Sequence, residues 1–162
     1  MKIFYAAEAS SLIGELPEFD LLLRNETSLK DTAGTLYLFE SEQDRETAVF
    51  LLKEGHLFED RHLLIYLEDV IMGEHFDDCG TISENGEYYL WMELVRPFAI
   101  TAGEAAQREM ALLQFEEHLA ASSSLTCGRV YFIGVHLEEL ALGIARAYDI
   151  EVSFLDLDKL GI

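Results

Sequence analysis

Five stretches rich in apolar and β-branched residues predict the buried strands of a sheet. They are residues 2–7 (KIFYAA), 35–40 (TLYLFE), 62–71 (HLLIYLEDVI), 129–135 (RVYFIGV) and 150–156 (IEVSFLD). Short apolar runs of this kind are typical of strands that are covered on both faces. The chain is therefore expected to be built around a β-sheet.

Two further stretches begin with residues that suit the start of a helix. Ser41, with Asp44 three residues later, forms a capping-box arrangement, and Gly55 is well placed to end that helix. Thr101 and Glu104 form a second arrangement of this kind, which predicts a long helix to about residue 121. Three segments are less regular. Residues 8–16 predict a short helix ended by Pro17, residues 19–24 fit either a strand or a helix, and residues 120–125 (AASSSL) predict a frayed helix end and a loop.

The last forty residues alternate between strand, helix and strand. Between the predicted strands at 129–135 and 150–156, apolar residues recur at helical spacing: Leu137, Leu140, Ala141, Ile144 and Tyr148. This order predicts a C-terminal βαβ unit whose two strands are parallel. The first twenty-four residues have a similar rhythm, but that rhythm alone does not establish a repeat.

Residues 79–95 predict an antiparallel hairpin, because Asn85-Gly86 is the dipeptide that best tolerates positive φ at both turn positions. The outgoing arm is rich in aromatic residues. We expect Tyr89 and Trp91 to face the core. The other face, which a helix or a partner would cover, carries Tyr88, Leu90, Met92 and Leu94.

Together these elements predict an α/β (or α+β) protein with a mixed β-sheet, packed helices, the hairpin and the C-terminal βαβ unit. We expect residues 1–162 to form a single globular domain, since the length suits one domain and no Gly/Ser linker interrupts the chain.

No apolar run approaches the roughly 18–20 residues that span a bilayer, and Glu8 ends the first apolar stretch too early for a signal peptide. Cys79 and Cys127 stand 48 residues apart without a CxxC motif. We therefore expect a cytoplasmic protein with two ordinary thiols rather than a disulfide.

The charge is the most distinctive property of the composition. The chain has 31 Asp and Glu residues against 11 Lys and Arg, for a formal net charge of −20. Such a field repels nucleic-acid phosphates and anionic lipid, and it attracts basic partners. Direct binding to nucleic acid or to a membrane is therefore disfavoured. An acidic surface that only keeps the protein soluble is the plain alternative.

The stretch EHFDDC, residues 74–79, concentrates polar side chains that can bind metals. His75, Asp77 and Asp78 are a minority hypothesis for a metal site, to which residues 59–62 could add ligands. Against it, neither an HExxH helix nor an EF-hand loop is present. The favoured interpretation is a polar loop leading into the hairpin, with no cofactor.

Motifs for nucleotide binding and nucleophilic catalysis are absent from the sequence. Gly134 follows a predicted strand, but neither G-x-G-x-x-G nor a P-loop surrounds it, and Glu138 and Glu139 would repel a phosphate at that helix start. There is no G-x-S-x-G. If the strand at 129–135 is real, it holds Cys127 and His136 about 20 Å apart. The sequence therefore favours a protein without catalysis.

The leading functional hypothesis is a small acidic binding protein that docks a basic protein partner. Neutralisation of a toxin, a nuclease or another nucleic-acid-binding protein, in the manner of an immunity protein or inhibitor, is the role that fits this charge. The candidate partner-binding residues are the acidic clusters and one exposed aromatic: Glu42, Asp44, Glu46, Glu116, Glu117, Glu138, Glu139 and Tyr88.

Two other classes of function remain open. A small enzyme or ligand-binding domain would place its site at the carboxyl ends of the strands, where Asp156, Asp158 and residues 134–136 lie. A structural subunit of a larger assembly would use the aromatic hairpin as its interface.

Overall fold

The computed structural model describes residues 1–125 and 128–156, which contain eleven strands and five α-helices. The strands are β1 (Lys2–Ala9), β2 (Asp31–Ala33), β3 (Leu36–Phe39), β4 (Phe58–Leu67), β5 (Val70–Met72), β6 (Gly80–Ile82), β7 (Tyr88–Trp91), β8 (Val95–Ala102), β9 (Leu119–Leu125), β10 (Gly128–Gly134) and β11 (Glu151–Phe154). The helices are α1 (Pro17–Glu26), α2 (Glu42–Glu54), α3 (Phe76–Cys79), α4 (Ala105–Glu116) and α5 (Glu138–Ala147). Short 3-10 turns cover Ser11–Glu15 and Val135–Leu137.

The strands form two antiparallel sheets. The first has the order β2-β3-β1-β4-β7-β6, and the second has the order β11-β8-β10-β9-β5. The predicted class, with helices packed on sheet, is confirmed, and so are the hairpin and the C-terminal βαβ unit. The finer expectation of one mixed sheet gives way to two antiparallel sheets. No helix among the described residues is long and apolar enough to cross a membrane.

The same topology occurs twice along the chain. The run β1-α1-β2-β3-α2-β4 has the strand order β2-β3-β1-β4, and the run β8-α4-β9-β10-α5-β11 has the order β11-β8-β10-β9. In each run, two strands joined by a helix are parallel to each other and are separated by an antiparallel strand. This is the split βαβ, or ferredoxin-like, arrangement. The similar rhythm of the first twenty-four and last forty residues is not this repeat, because residues 2–26 form β1 and α1, which correspond to β8 and α4 of the second run.

The residues group into two compact units by their internal contacts. We call residues 2–66 and 82–89 the N-terminal unit, and residues 1, 67–81, 90–125 and 128–156 the C-terminal unit. In the N-terminal unit, Leu23 of α1 and Leu52 of α2 are buried against Tyr37 and Phe39 of β3. In the C-terminal unit, Phe115 of α4 and Ala141 and Ile144 of α5 are buried. They pack with Phe98 of β8 and Ile133 of β10 in one hydrophobic core.

The predicted boundaries of α2 hold, because a side-chain cap and a glycine satisfy its ends, whereas α4 neither begins at Thr101 nor extends to residue 121. The Ser41 hydroxyl accepts the Asp44 N–H at 3.1 Å, and Gly55 ends α2 as predicted. The start of α4 differs from the prediction, since Glu104 forms the capping box with Gln107 and Thr101 lies in β8. The predicted short helix is the 3-10 turn Ser11–Glu15, which ends just before Pro17. Pro17 also begins α1, because the first helical turn needs no proline N–H.

Two expectations in the C-terminal unit are wrong. Residues 120–125 belong to strand β9, where small side chains from Ala120 to Ser123 are buried in the sheet. Their alanine and serine content resembles a loop, but they are fixed as a strand by pairing with β10 on one side and β5 on the other. The helical spacing of apolar residues predicts that Leu140 faces the sheet with Ile144, yet its side chain is 39% exposed, whereas Ala145 is buried.

The hairpin turn lies at the predicted dipeptide, but only Gly86, and not Asn85, has a positive φ. Gly86 has φ +80°, and its N–H donates to the Ser83 carbonyl oxygen at 3.0 Å. Both faces of β7 are covered at its centre, because Tyr89 and Leu90 are both fully buried while Tyr88 and Trp91 are half-buried. Tyr89 packs in the N-terminal unit with Phe4 and Tyr66, whose ring centroids lie 5.3 and 5.5 Å from its own.

Candidate protein-binding surface

The carboxylates lie almost entirely on the surface. Asp31 is the one buried carboxylate among the residues that the structure describes. Since the chain has 31 acidic and 11 basic residues, one-to-one ion pairing leaves at least 20 carboxylates without a Lys or Arg partner. Some of these carboxylates are paired within the protein, and others line a concave surface.

The acidic cluster at the start of α2 is largely neutralised from within. Glu42 accepts a 2.7 Å hydrogen bond from Arg45, and Glu46 accepts from Arg45 and from both Nε and Nη2 of Arg61. Asp44 accepts from the Ser28 N–H at 3.0 Å and the Ser41 hydroxyl at 2.6 Å. These three candidate residues therefore hold the helix start in place, and their acceptor sites are mostly occupied.

The same contacts lower the pKa of two of these carboxyl groups. Hydrogen bonds from Arg61 lower the pKa of Glu46, and hydrogen bonds from Ser41 and Ser28 lower that of Asp44. A depressed folded-state pKa stabilises the fold above the ordinary carboxyl range. That stability is lost as the pH falls through the folded-state value.

We expect Glu46→Gln to lower the unfolding free energy at pH 7 by less than about 1 kcal/mol, because the ion pair with Arg61 is solvent-exposed. The difference from wild type should shrink as the pH falls through the lowered folded-state pKa of Glu46, below which the carboxyl is protonated in both states. Thermal melts from pH 7 into the acid range measure it, with Glu54→Gln as a control on the same helix. An undiminished difference at acid pH would show that Glu46 acts through packing instead of charge.

A different set of carboxylates surrounds an open depression of about 440 Å³ in the N-terminal unit. Three of its lining residues are acidic and three carry hydroxyl groups, and we call it the acidic depression. It is lined by Glu8, Ala9, Ser10, Ser11, Thr35, Glu59 and Asp60. None of these lining residues is basic, although the His62 Nε2 lies 2.9 Å from the Glu8 carboxylate beside it.

A β-bulge builds the acidic depression. Glu8 of β1 pairs with Asp60 of β4, but the next residue, Ala9, pairs with Phe58, so Glu59 is an extra residue in β4. A bulge of this kind disrupts the alternation of side chains and redirects one of them. It places Glu59 and Asp60 beside Glu8 at the point where β1 leaves the sheet and the 3-10 turn capped by Ser10 begins.

The other acidic candidates lie in the C-terminal unit at separate places. Glu116 and Glu117 end α4, where Glu117 lies 3.4 Å from the Gln114 amide nitrogen. At the start of α5, Glu138 pairs with Arg96 at 3.1 Å and Glu139 is exposed. The pair Glu116–Glu117 and the pair Glu138–Glu139 therefore lie at the ends of two different helices. The aromatic candidate, Tyr88, is half-buried in β7.

The stretch 74–79 is a short helix with two buried side chains. Phe76 and Cys79 of α3 are buried, while Asp77 and Asp78 are exposed and His75 Nδ1 lies 3.1 Å from Asp78 Oδ2. Burial raises the pKa of the free Cys79 thiol. Within residues 1–125 and 128–156, no three His, Cys, Asp or Glu side chains are grouped closely enough to bind a metal ion.

The alternative site at the carboxyl ends of strands is only partly described. Strands β10 and β11 run in the same direction on either side of β8, so residues 134–136 and Asp156 lie at the same edge of their sheet. Gly134 packs closely on the His136 ring. Asp158 and Cys127 lie outside the described residues.

Sequence reasoning did not single out the residues of the acidic depression as a binding site. The sequence indicates Glu59 and Asp60 only as additional metal ligands, and Glu8 only as the end of an apolar run. Their proximity depends on the pairing register and the bulge, which no local pattern in the sequence shows.

Comparison with known proteins gives no relative. No protein-family model, curated protein or solved structure matches this chain. Its class is therefore defined by its own fold and surface: two split βαβ runs with a strongly acidic exterior.

Proposed function

We propose that this protein binds a basic protein partner, and that lysine or arginine side chains of the partner enter the acidic depression. The observation that carries the proposal is the lining of this depression, which has three carboxylates and three hydroxyl-bearing residues but no basic residue. A cation is the group that such a lining binds best, because carboxylate and hydroxyl oxygens all accept hydrogen bonds.

The geometry suits a side chain better than a bare metal ion. The carboxylates are too dispersed to form a metal cluster among the described residues, whereas the depression has a volume of about 440 Å³ and is open. A guanidinium has five donors and a lysine ammonium three, so either can use several of these acceptors at once. Such charge-assisted contacts are roughly twice as strong as neutral ones.

The net charge of −20 supports the same proposal at longer range. A strongly acidic protein steers basic partners into encounter and raises their association rate. A basic surface that normally binds nucleic-acid phosphates offers the complementary charge, and carboxylates can occupy its phosphate sites. We therefore propose a toxin, nuclease or other nucleic-acid-binding protein as the class of partner, which docking would neutralise.

The test uses two double variants with the same net charge. Glu59→Gln with Asp60→Asn removes charge from the acidic depression. Glu26→Gln with Glu54→Gln removes the same charge from the exposed C-terminal ends of α1 and α2. A partner captured by the wild-type chain from its source cells is purified, and its binding kinetics are measured for all three proteins at low and high salt.

We expect the depression variant to dissociate about tenfold faster or more, since desolvated charge contacts chiefly determine the dissociation rate. The control should dissociate like wild type. The two variants should have the same association rate, and this rate should be somewhat lower than that of the wild-type protein, because steering depends on net charge. Equal dissociation rates for the two variants would exclude the acidic depression. An association rate indifferent to salt would exclude the electrostatic proposal as a whole.

A further inference from the structure

A second cavity, of about 490 Å³, lies in the C-terminal unit between α4 and the strands β5, β9 and β10. We call it the Arg129 cleft. Its lining combines apolar, basic, acidic and hydroxyl groups: Ile71, Met72, Gly73, Glu74, Leu112, Glu116, Leu119, Ser122, Arg129 and Tyr131. The volume lies within the roughly 300–1,000 Å³ that is usual for small-molecule sites.

The cleft exists because this sheet is wider than the helix layer that covers it. A split βαβ run supplies four strands and two helices, but β5 adds a fifth strand at the β9 edge. Ile71 of β5 pairs with Ser122 of β9, which in turn pairs with Tyr131 of β10. The side chains of Ile71 and Met72 are 56% and 49% exposed. Helix α4 therefore does not cover the β5 end of these paired strands.

Arg129 supplies a positive charge whose hydrogen-bonding capacity is only partly used. Its guanidinium donates to the Ser122 hydroxyl at 3.4 Å and to the Ser124 hydroxyl at 3.2 Å. Among the described residues, no carboxylate lies within ion-pair distance of it. In a chain with 31 acidic residues, an arginine that is held by neutral hydroxyls keeps donors for an incoming anion.

Carboxylates also line the same cleft. Glu116 comes from the last turn of α4, and Glu74 follows β5. The Tyr131 hydroxyl is affected by a positive and a negative group. Burial raises the pKa of Tyr131, the nearby Arg129 lowers this pKa, and the nearby Glu116 raises it. The cleft therefore has both a positive and a negative group beside one apolar wall.

We propose that the Arg129 cleft binds a small zwitterion with an apolar body, namely a hydrophobic α-amino acid. Its carboxylate binds Arg129, its ammonium group binds Glu116, and its side chain packs on Ile71, Met72 and Leu112. The net charge of −20 selects this class over a simple anion, which the whole molecule repels. A simple cation, although the net charge attracts it, would leave Arg129 without an anionic partner.

The test is calorimetric titration of the full chain with L-phenylalanine, L-leucine and L-methionine. Two analogues of phenylalanine separate the charges: hydrocinnamate lacks the ammonium group, and phenethylamine lacks the carboxylate. We expect each analogue to bind about tenfold more weakly than L-phenylalanine or worse, since each loses one charge-assisted contact. No heat of binding for any of the three amino acids at millimolar concentration, or equal binding of hydrocinnamate, would overturn the proposal.

Variants then assign each charge to its residue. Arg129→Gln should lower the affinity for L-phenylalanine and for hydrocinnamate about tenfold, and it should leave the affinity for phenethylamine unchanged. Glu116→Gln should lower the affinity for L-phenylalanine and for phenethylamine, and it should leave the affinity for hydrocinnamate unchanged. Arg146→Gln and Glu139→Gln, which are exposed on α5, serve as charge-matched controls. A uniform loss for all three ligands would mean that the variants act through structure and would refute the assignment. The cleft lies in the C-terminal unit, so this result is independent of the acidic depression.

Discussion

Phe115→Ala is expected to lower the free energy of unfolding by about 3–5 kcal/mol. The Phe115 side chain is fully buried in the C-terminal unit, and its ring centroid lies 5.0 Å from that of Phe98. Phe98 in turn stacks on Tyr131 at 5.4 Å. Truncation therefore leaves a cavity at the centre of an aromatic cluster, and neighbouring rings cannot collapse into it without losing their own contacts.

Urea denaturation followed by circular dichroism measures the change. The control is Leu113→Ala, two residues earlier on the same helix, where the side chain is 57% exposed. We expect that control to change stability by no more than about 0.5 kcal/mol. Similar losses for the two variants would mean that α4 presents a different face to the sheet from the one described.

The secondary structure could be predicted wherever burial and local chemistry agree. The strands β1, β3, β10 and β11 coincide with apolar runs, and Ser41 and Gly55 mark the ends of α2. Prediction failed where tertiary packing overrides composition. Residues 120–125 resemble a loop, yet they form β9, because they pair with β10 on one side and β5 on the other.

The repeat could not be predicted from the sequence, since a split βαβ run constrains only the order and burial of its elements. Leu23 and Ala111 occupy the buried faces of the first helix in each run, although their side chains differ greatly in volume. Many residue sets can satisfy such a pattern. The two runs therefore share a topology without a visible sequence repeat.

The candidate site was predictable in its chemistry but not in its position. Net charge indicated a basic partner, but it did not show which carboxylates are available. Glu42 and Glu46 cluster in sequence, and the structure shows them paired with Arg45 and Arg61. Glu8 lies more than fifty positions before Glu59, and only a bulge in the pairing of β1 with β4 brings them together. Nonlocal register of this kind has no local signal.

Gly73→Ala is expected to cost about 1–3 kcal/mol, because an added methyl group would collide with backbone instead of with a flexible side chain. A Cβ at this position would lie 2.0 Å from the Leu119 carbonyl oxygen. The segment cannot easily move away, since the Gly73 N–H donates to the Ala120 oxygen at 2.9 Å and the His75 N–H to the Leu119 oxygen at 3.1 Å. Relief of the collision would have to break this pairing beside β9.

Gly143→Ala is the matched control. Gly143 lies inside α5, and nothing comes within 4 Å of a Cβ built there. Alanine should therefore stabilise the protein by about 0.5–1 kcal/mol, through its higher helix propensity. The same methyl group is thus expected to act with opposite sign at two glycines, as chemical denaturation of both variants can show. Because Gly73 also lines the Arg129 cleft, its substitution should weaken amino-acid binding as well, whereas Gly143→Ala should leave that binding unchanged. A stable Gly73→Ala protein would mean that β5 is not fixed against β9, and that the cleft wall it forms is not rigid.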